Sequence, residues 1–404
     1  MKIAIVHTDF SVKGGAENVI FWLCEDLAEK RNHKVTLFCT DFKDWKEKFE
    51  KIKGLKLKVI QIPKYLIDSK FFKMIFAGIY LKNELRNFDV INIHNFPASL
   101  WVGIANIISG KKLPKIIWSC NEPPRFLYKK HCNLNTPSNL EVLHEDLNEN
   151  LEIKYSSKIK YVFKELYKPL LKYIDRKSVR KFYKILTLSN FVKNQVEHIY
   201  ENNKVVTCYT GVKDIDTGNI SNHKTGQEYF LTISRLETCK NIQNIVESFS
   251  RIKENKQFDK IKYNIIGKGP LENYLRNMIL KNNLNDTVFL LGYVSREELL
   301  SYYKNCLAVI YLPYDEPFGL PYLEAAYFSK PSIASNHGGP AELVINGKTG
   351  LLVSPSDINE ISNAIKTISK DKDAAEIMGN NANKFLKEKF LWEMYINRFL
   401  TQIQ

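Results

Sequence analysis

The stretch "KIAIVHTDFSVKGGAENVIFWLCEDLAEKRNHKVTLFCT", Lys2 to Thr40, changes its hydrophobic period twice. "KIAIVHT" opens as a short apolar run of the kind buried on both faces of a parallel sheet. The polar loop "DFSVKGGAEN" follows, and then Ile20, Leu23 and Leu27 fall on one face of a helix. "KVTLFCT" returns to an apolar run, so the chain begins with a β-α-β unit. Three later runs, "DVINIHN", "PKIIWSC" and "KILTLSN", end in polar residues. That is the pattern of parallel strands whose carboxyl ends carry function.

The same unit restarts after a polar Gly/Asn/Asp-rich segment. "YFLTISR" reads as a strand and "LETCKN" as a loop, and Ile242, Ile245, Val246 and Phe249 mark the next helix. "YNIIGKG", "VFLLGYV", "LAVIYLP" and "PSIAS" supply further strands. The sequence therefore predicts an α/β protein of two doubly wound, Rossmann-like domains in tandem with a cleft between them. The expected boundaries are an amino-terminal domain at 1–207, a linker at 208–226, a second domain at 227–385 and a carboxyl-terminal helix at 386–404 that crosses back.

Composition agrees with two cores and narrows the chemistry. The chain has 404 residues, 44% of them hydrophobic, which is too long for one ordinary core and enough to fill two. No apolar run reaches the ~18–20 residues of a membrane span. Seven cysteines without a C-x-x-C pair argue against a disulfide framework or a zinc site and point to a reducing compartment, the cytoplasm. The net charge of +15 asks for an anionic partner. It concentrates in residues 154–184, where eleven Lys or Arg meet two acids among Tyr, Phe and Leu. Val162, Leu166, Leu170 and Ile174 recur there every fourth residue, as on one helix face. An anionic membrane surface is the expected partner of this segment, against a solvated face as the plainer reading. Nucleic acid is favoured by charge alone, since no zinc, RRM-like or helix-turn-helix signature is present.

The second domain offers the clearest candidate site, in "LAVIYLPYDEPFGLPYLEAAYFSKPSIASNHGGPAEL". Pro321 suits the first position of a helix, which puts Glu316 in the loop before it and Glu324 in its first turn. Phe318, Gly319 and Leu320 would then present backbone N–H groups at a positive helix end, an anion site that Gly319 lets a ligand approach closely. Two carboxylates beside it suit sugar hydroxyls better than phosphate. Arg235, at the end of "YFLTISR", and Lys240, five residues on, could neutralise a diphosphate as a fork and a point charge. Taken singly, each is an ordinary surface cation.

These stretches, with "NIIGKGPLENYL" and "KGGAEN", resemble the retaining glycosyltransferases of family 4, which have the GT-B fold. The likeness runs over nearly the whole chain, and its most specific mark is the pair of glutamates within "EPFGLPYLE". The resemblance implies transfer of a hexose, mannose favoured, from a nucleotide diphosphate sugar to a glycan or lipid-linked saccharide, with retention at the anomeric carbon. By the match, Arg235 and Lys240 hold the donor diphosphate, Glu316 the donor sugar and Glu324 the ribose. Gly14 and Gly15 match the loop that closes over the diphosphate. The final "FLWEMYINRFLTQIQ" resembles the family's last helix. "WSCNEPPRFLY" resembles the "CHTPPR" stretch of bacterial mannosyltransferase members, with Asn121 where those have histidine. Asn121 can donate and accept hydrogen bonds but cannot carry a proton, and Arg125 is a candidate for the acceptor side. GDP-mannose or a UDP-hexose is the expected donor, no cofactor or divalent metal is expected, and the enzyme would sit in the cytoplasm at the inner face of the membrane.

Other classes fit the same residues less well. A nicotinamide-dependent dehydrogenase would need G-x-G-x-x-G where this chain has "KGGAEN", and Asp41 alone is weak evidence for ribose binding. The linker pair Asp214 and Asp216 is a poor metal site. A nucleotide-sugar epimerase or hydrolase of GT-B architecture, or a non-catalytic sugar-nucleotide-binding subunit, are the alternatives to transfer.

Overall fold

The computed structural model describes residues 1–11, 14–63, 70–110, 112–132, 156–202, 204–215 and 227–404, without the side chains of 70–72, 156–166 and 256. They divide into two compact units. The described residues of Met1–Cys132, Lys154–Thr210 and Glu393–Gln404 form the first, and those of Gly211–Trp392 the second.

Among the described residues, the first unit's sheet has seven parallel strands: β1 (Lys2–Val6), β2 (Lys34–Cys39), β3 (Leu55–Val59), β4 (Val90–His94), β5 (Lys115–Cys120), β6 (Lys184–Thr187) and β7 (Val205–Thr207). Their order is β3-β2-β1-β4-β5-β6-β7. Ile3 lies opposite Val35 of β2 on one side and Val90 of β4 on the other. Strand order therefore reverses between β1 and β4. The central strands are apolar on both faces because helices cover both, and Ile91, Ile93, Ile116 and Trp118 enter the first core. The Gly15–Glu25 helix carries Ile20 and Leu23 inward and runs on as a π-helical turn, Asp26–Lys30, that holds Leu27.

The second unit repeats the plan with six parallel strands: β8 (Tyr229–Ile233), β9 (Lys262–Ile266), β10 (Val288–Gly292), β11 (Ala308–Tyr311), β12 (Ser332–Ser335) and β13 (Gly350–Val353). The order β10-β9-β8-β11-β12-β13 reverses between β8 and β11. Ile242, Ile245, Val246 and Phe249 of the Ile242–Lys253 helix all enter its core.

Three strands escape the sequence reading, each at an edge of its sheet. β3 is "LKLKV" and mostly exposed, β7 has three residues, and β13 is four residues beginning with Gly350. Short edge strands bury too little to leave an apolar run. The inward face of the Ser156–Val179 helix also differs from expectation. Leu170 is 49% exposed, while Leu171, Asp175, Ser178 and Val179 are buried. Val162 and Leu166 lie outside the described side chains. The boundary drawn at 386 falls inside the Lys372–Lys389 helix, and the last helix is Trp392–Ile403. Val212 bonds through its backbone to Phe390 and Trp392, which ties the two ends of the second unit together. Among the described residues no helix is long and apolar enough to cross a membrane.

Candidate functional site

Both cations and both glutamates expected from sequence belong to the second unit, beyond the carboxyl ends of β8 and β11 or on the helix that follows. Lys240 closes the short 3-10 turn Thr238–Lys240 after β8. Asn241 then turns the chain at φ +57°, and its buried side chain donates to the Pro355 carbonyl at 2.7 Å. Tyr314 N–H donates to the Cys239 carbonyl at 2.9 Å, so the turn is fastened to the loop after β11. Lys240 Nζ donates to Glu316 Oε2 at 2.8 Å and to Tyr311 Oη at 3.0 Å, and Tyr311 Oη donates to the same carboxylate oxygen at 2.9 Å. Burial opposes the charge on Lys240, but the Glu316 carboxylate and the tyrosine outweigh it and hold its pKa well above the ordinary lysine value. The lysine is a fixed cation in a mostly buried setting.

The loop carrying Glu316 is shaped from two sides. Asp315, buried, turns at φ +47°, a conformation that costs a non-glycine residue energy and collects at functional sites. From the other side, Gly339 N–H donates to the Glu316 carbonyl at 2.9 Å, and a Cβ at Gly339 would fall 2.3 Å from the Pro317 carbonyl oxygen. "NHGGPAEL" therefore needs glycine for a close backbone approach that fixes Glu316.

The Leu320–Tyr327 helix begins one residue before Pro321, so Pro321 is its second residue and Glu324 lies past the first turn. Gly319 caps it at φ +115°, where a Cβ would meet the Tyr322 ring at 2.4 Å. Phe318 is buried with its ring against Phe390. Glu324 accepts from Tyr303 Oη at 2.5 Å. Burial raises its pKa, with the tyrosine bond and Arg296 acting the other way. Arg235 stands apart: its side chain is 62% exposed and its guanidinium pairs with Glu237 at 2.6 Å. The structure thus joins Lys240 to Glu316, and places Arg235 on Glu237 and Glu324 on Tyr303.

Sequence reading overlooked Tyr311, which ends an apolar strand where a tyrosine reads as core, and Tyr303, which lies in the mixed polar helix Arg296–Asn305. It also overlooked Gly338 and Gly339, whose partners Glu316 and Pro317 are each 22 residues away in the chain.

In the first unit, Gly14 caps the Gly15–Glu25 helix in extended conformation, and Val12 and Lys13 lie outside the described residues. Asn121 directly follows β5, and Arg125 Nε pairs with Glu122 Oε2 at 2.7 Å. Asp216 of the linker also lies outside the described residues.

Residues 13–214 match the model of Glycosyltransferase Family 4, and residues 216–385 that of Glycosyl transferases group 1. The chain belongs to glycosyltransferase family 4. An uncharacterised glycosyltransferase of Methanocaldococcus jannaschii is 27% identical over 85% of this glycosyltransferase and 92% of its own length. The alpha-1,3/1,6-mannosyltransferase ALG2 of Dictyostelium discoideum is 24% identical over 100% of this chain and 98% of its own. Among solved structures, Anabaena HepE in complex with UDP-glucose matches with a TM-score of 0.73 at 16% identity, covering 99% of both chains. The two parallel-sheet units are those of the GT-B fold.

Proposed function

We propose that this glycosyltransferase moves a hexose, mannose by preference, from a nucleotide diphosphate sugar to a glycan or lipid-linked saccharide, with retention and without a metal. The observation that carries the reading is the Lys240–Tyr311–Glu316 triangle at the β8/β11 reversal, next to the amino end of the Leu320–Tyr327 helix. Open α/β sheets bind ligands where strand order reverses. Lys240 and the amides of Phe318, Gly319 and Leu320 receive the leaving diphosphate, joined by Arg235 once it exchanges Glu237 for phosphate. Glu316 holds the donor sugar's hydroxyls and Glu324 the ribose. The acceptor oxygen bonds to the anomeric carbon as the carbon–oxygen bond to the diphosphate breaks, and the acceptor proton passes to the departing phosphate oxygen. A fixed cation worth about two to three orders of magnitude in rate does much of what a metal would do.

The likeness to ALG2, a mannosyltransferase, favours mannose as the sugar, and GDP-mannose is the first reading of the donor. A UDP-hexose is the second reading, favoured by the fold shared with HepE, which was solved with UDP-glucose. Thermal shift against a panel of nucleotide sugars separates the two, because a ligand at a hundred times its Kd stabilises by about 2.7 kcal/mol. NMR of the product anomer tests retention. Full activity in EDTA supports metal independence, and activity lost there and restored by Mg²⁺ or Mn²⁺ overturns it. Hydrolysis or epimerisation of donor alone, with no acceptor used, would move the reading to the alternatives.

The acceptor's membrane location rests on residues 154–184. Lys154, Lys158, Lys160 and Lys164 lie outside the described side chains, but Lys177 and Lys181 are exposed, and Lys177 Nζ lies 5.4 Å from the centroid of the exposed Tyr173 ring. Each cation that reaches an anionic surface adds about 1 kcal/mol. Sedimentation with anionic vesicles should fall with salt, and fall further in a Lys177→Glu, Lys181→Glu double variant. Equal binding to neutral vesicles at low salt would remove the membrane from the proposal.

A further inference from the structure

The first unit has its own strand reversal, between β1 and β4, and the groups there are of a different kind. His7 directly follows β1 and is 2% exposed. Among the described residues neither ring nitrogen has a side-chain hydrogen-bond partner; the backbone of His94 and of Asp9 is what bears on the ring. Glu17, in the first turn of the Gly15–Glu25 helix, brings Oε1 to 4.0 Å from His7 Nε2. That gap is too long for a hydrogen bond. An oxygen about 2.8 Å from both atoms would close it at an angle near 90°, within reach of a hydroxyl that donates to one and accepts from the other.

Neighbouring groups are already engaged. His94, at the end of β4, holds Asn92 Oδ1 through Nε2 at 2.7 Å, and Asn92 Nδ2 donates to Ser119 Oγ at 2.9 Å. Phe10 covers the His7 ring at 4.9 Å between centroids. Burial lowers the His7 pKa to about 4 and raises that of Glu17, and the charge that bears on both is the carboxylate of Asp9. A phosphate finds no attraction in such a set. A neutral polyol does.

We propose that His7 and Glu17 form a hydroxyl-binding subsite for an uncharged sugar ring, one of whose oxygens bridges His7 Nε2 and Glu17 Oε1. That this ring belongs to the acceptor rests on the transferase reading above; the subsite itself does not.

The test follows the imidazole directly. The full chain is labelled with ¹⁵N-histidine, His7 is assigned by the signal lost in His7→Gln (His7→Asn should that variant unfold), and the methyl α-glycosides of mannose, glucose, galactose and N-acetylglucosamine are titrated in. GDP and UDP binding is followed in parallel by thermal shift. The expected result is a saturable movement of the His7 ring signals with at least one glycoside. Its affinity should fall about fivefold or more in Glu17→Ala, the loss of about one hydrogen bond, while nucleotide binding stays unchanged. No movement with any glycoside, in protein that still binds nucleotide, overturns the subsite, as does an equal affinity in Glu17→Ala. Movement in a protein that binds no nucleotide supports the subsite and sinks the transferase reading.

Discussion

The two strand reversals share a topology and differ in how they treat charge. At β8/β11 the lysine keeps its charge because the Glu316 carboxylate faces it and a tyrosine bonds to both. At β1/β4 two histidines are buried without a carboxylate in hydrogen-bonding contact, and desolvation drives their pKa values to about 4 and about 3. The first arrangement suits an anion that arrives with its own charge, and the second suits hydroxyls. One backbone plan thus serves two chemistries, decided by whether a buried group is given a counter-charge.

The contrast is broken most severely by removing the cation. Lys240→Met leaves Glu316 without its counter-ion and a bound diphosphate without its fixed charge, so kcat/KM should fall by about 2–5 kcal/mol, with the fold retained by circular dichroism. Activity within a factor of a few of wild type would refute the charged-edge account.

Glu316→Gln sharpens it. Nucleotide affinity should hold while transfer drops by about two orders of magnitude, because a carboxylate that accepts from a sugar hydroxyl in the transition state is replaced by a weaker acceptor. Near-wild-type turnover would show that Glu316 only anchors Lys240.

The first unit's habit of burying carboxyl groups is testable at Asp175. Its Oδ2 accepts from Tyr128 at 2.8 Å and Tyr200 at 2.7 Å, yet burial raises its pKa from 3.8 to about 6. A raised folded value means that this contribution to stability is complete below the unfolded pKa and is lost as pH climbs through 6. Asp175→Asn removes the dependence, so its stability relative to wild type should rise between pH 4 and pH 8 by up to about 3 kcal/mol in urea melts. A gap that does not change with pH would mean that Asp175 is not neutralised by burial.

The smallest effect is expected at Glu324. Tyr303→Phe removes the hydroxyl that fixes its carboxylate, and donor KM should rise by about 1.5 kcal/mol, roughly tenfold, with kcat unchanged. A fall in kcat instead would place Glu324 in the chemistry rather than on the ribose.

The glycine and proline punctuation of "EPFGLPYLE" marked its loop and helix within a residue, because Pro and Gly act through local dihedral limits. Lys240 was legible only as a cation near a strand end; that it meets Glu316 depends on a contact across 76 residues. Arg235 was read as its equal, but an exposed side chain takes the nearest carboxylate, and Glu237 is two residues away.

Hydrophobic period by itself determined the alternation of strands and helices, and hence two parallel α/β units, since each buried strand must be apolar over its own length. Only the tertiary structure decided the chemistry of the strand ends. The order of strands chose which ends became neighbours, and burial chose which side chains kept their charge. Both depend on contacts between residues far apart in the chain: His7 beside His94 at the strand ends of one sheet, Lys240 against Glu316 at those of the other.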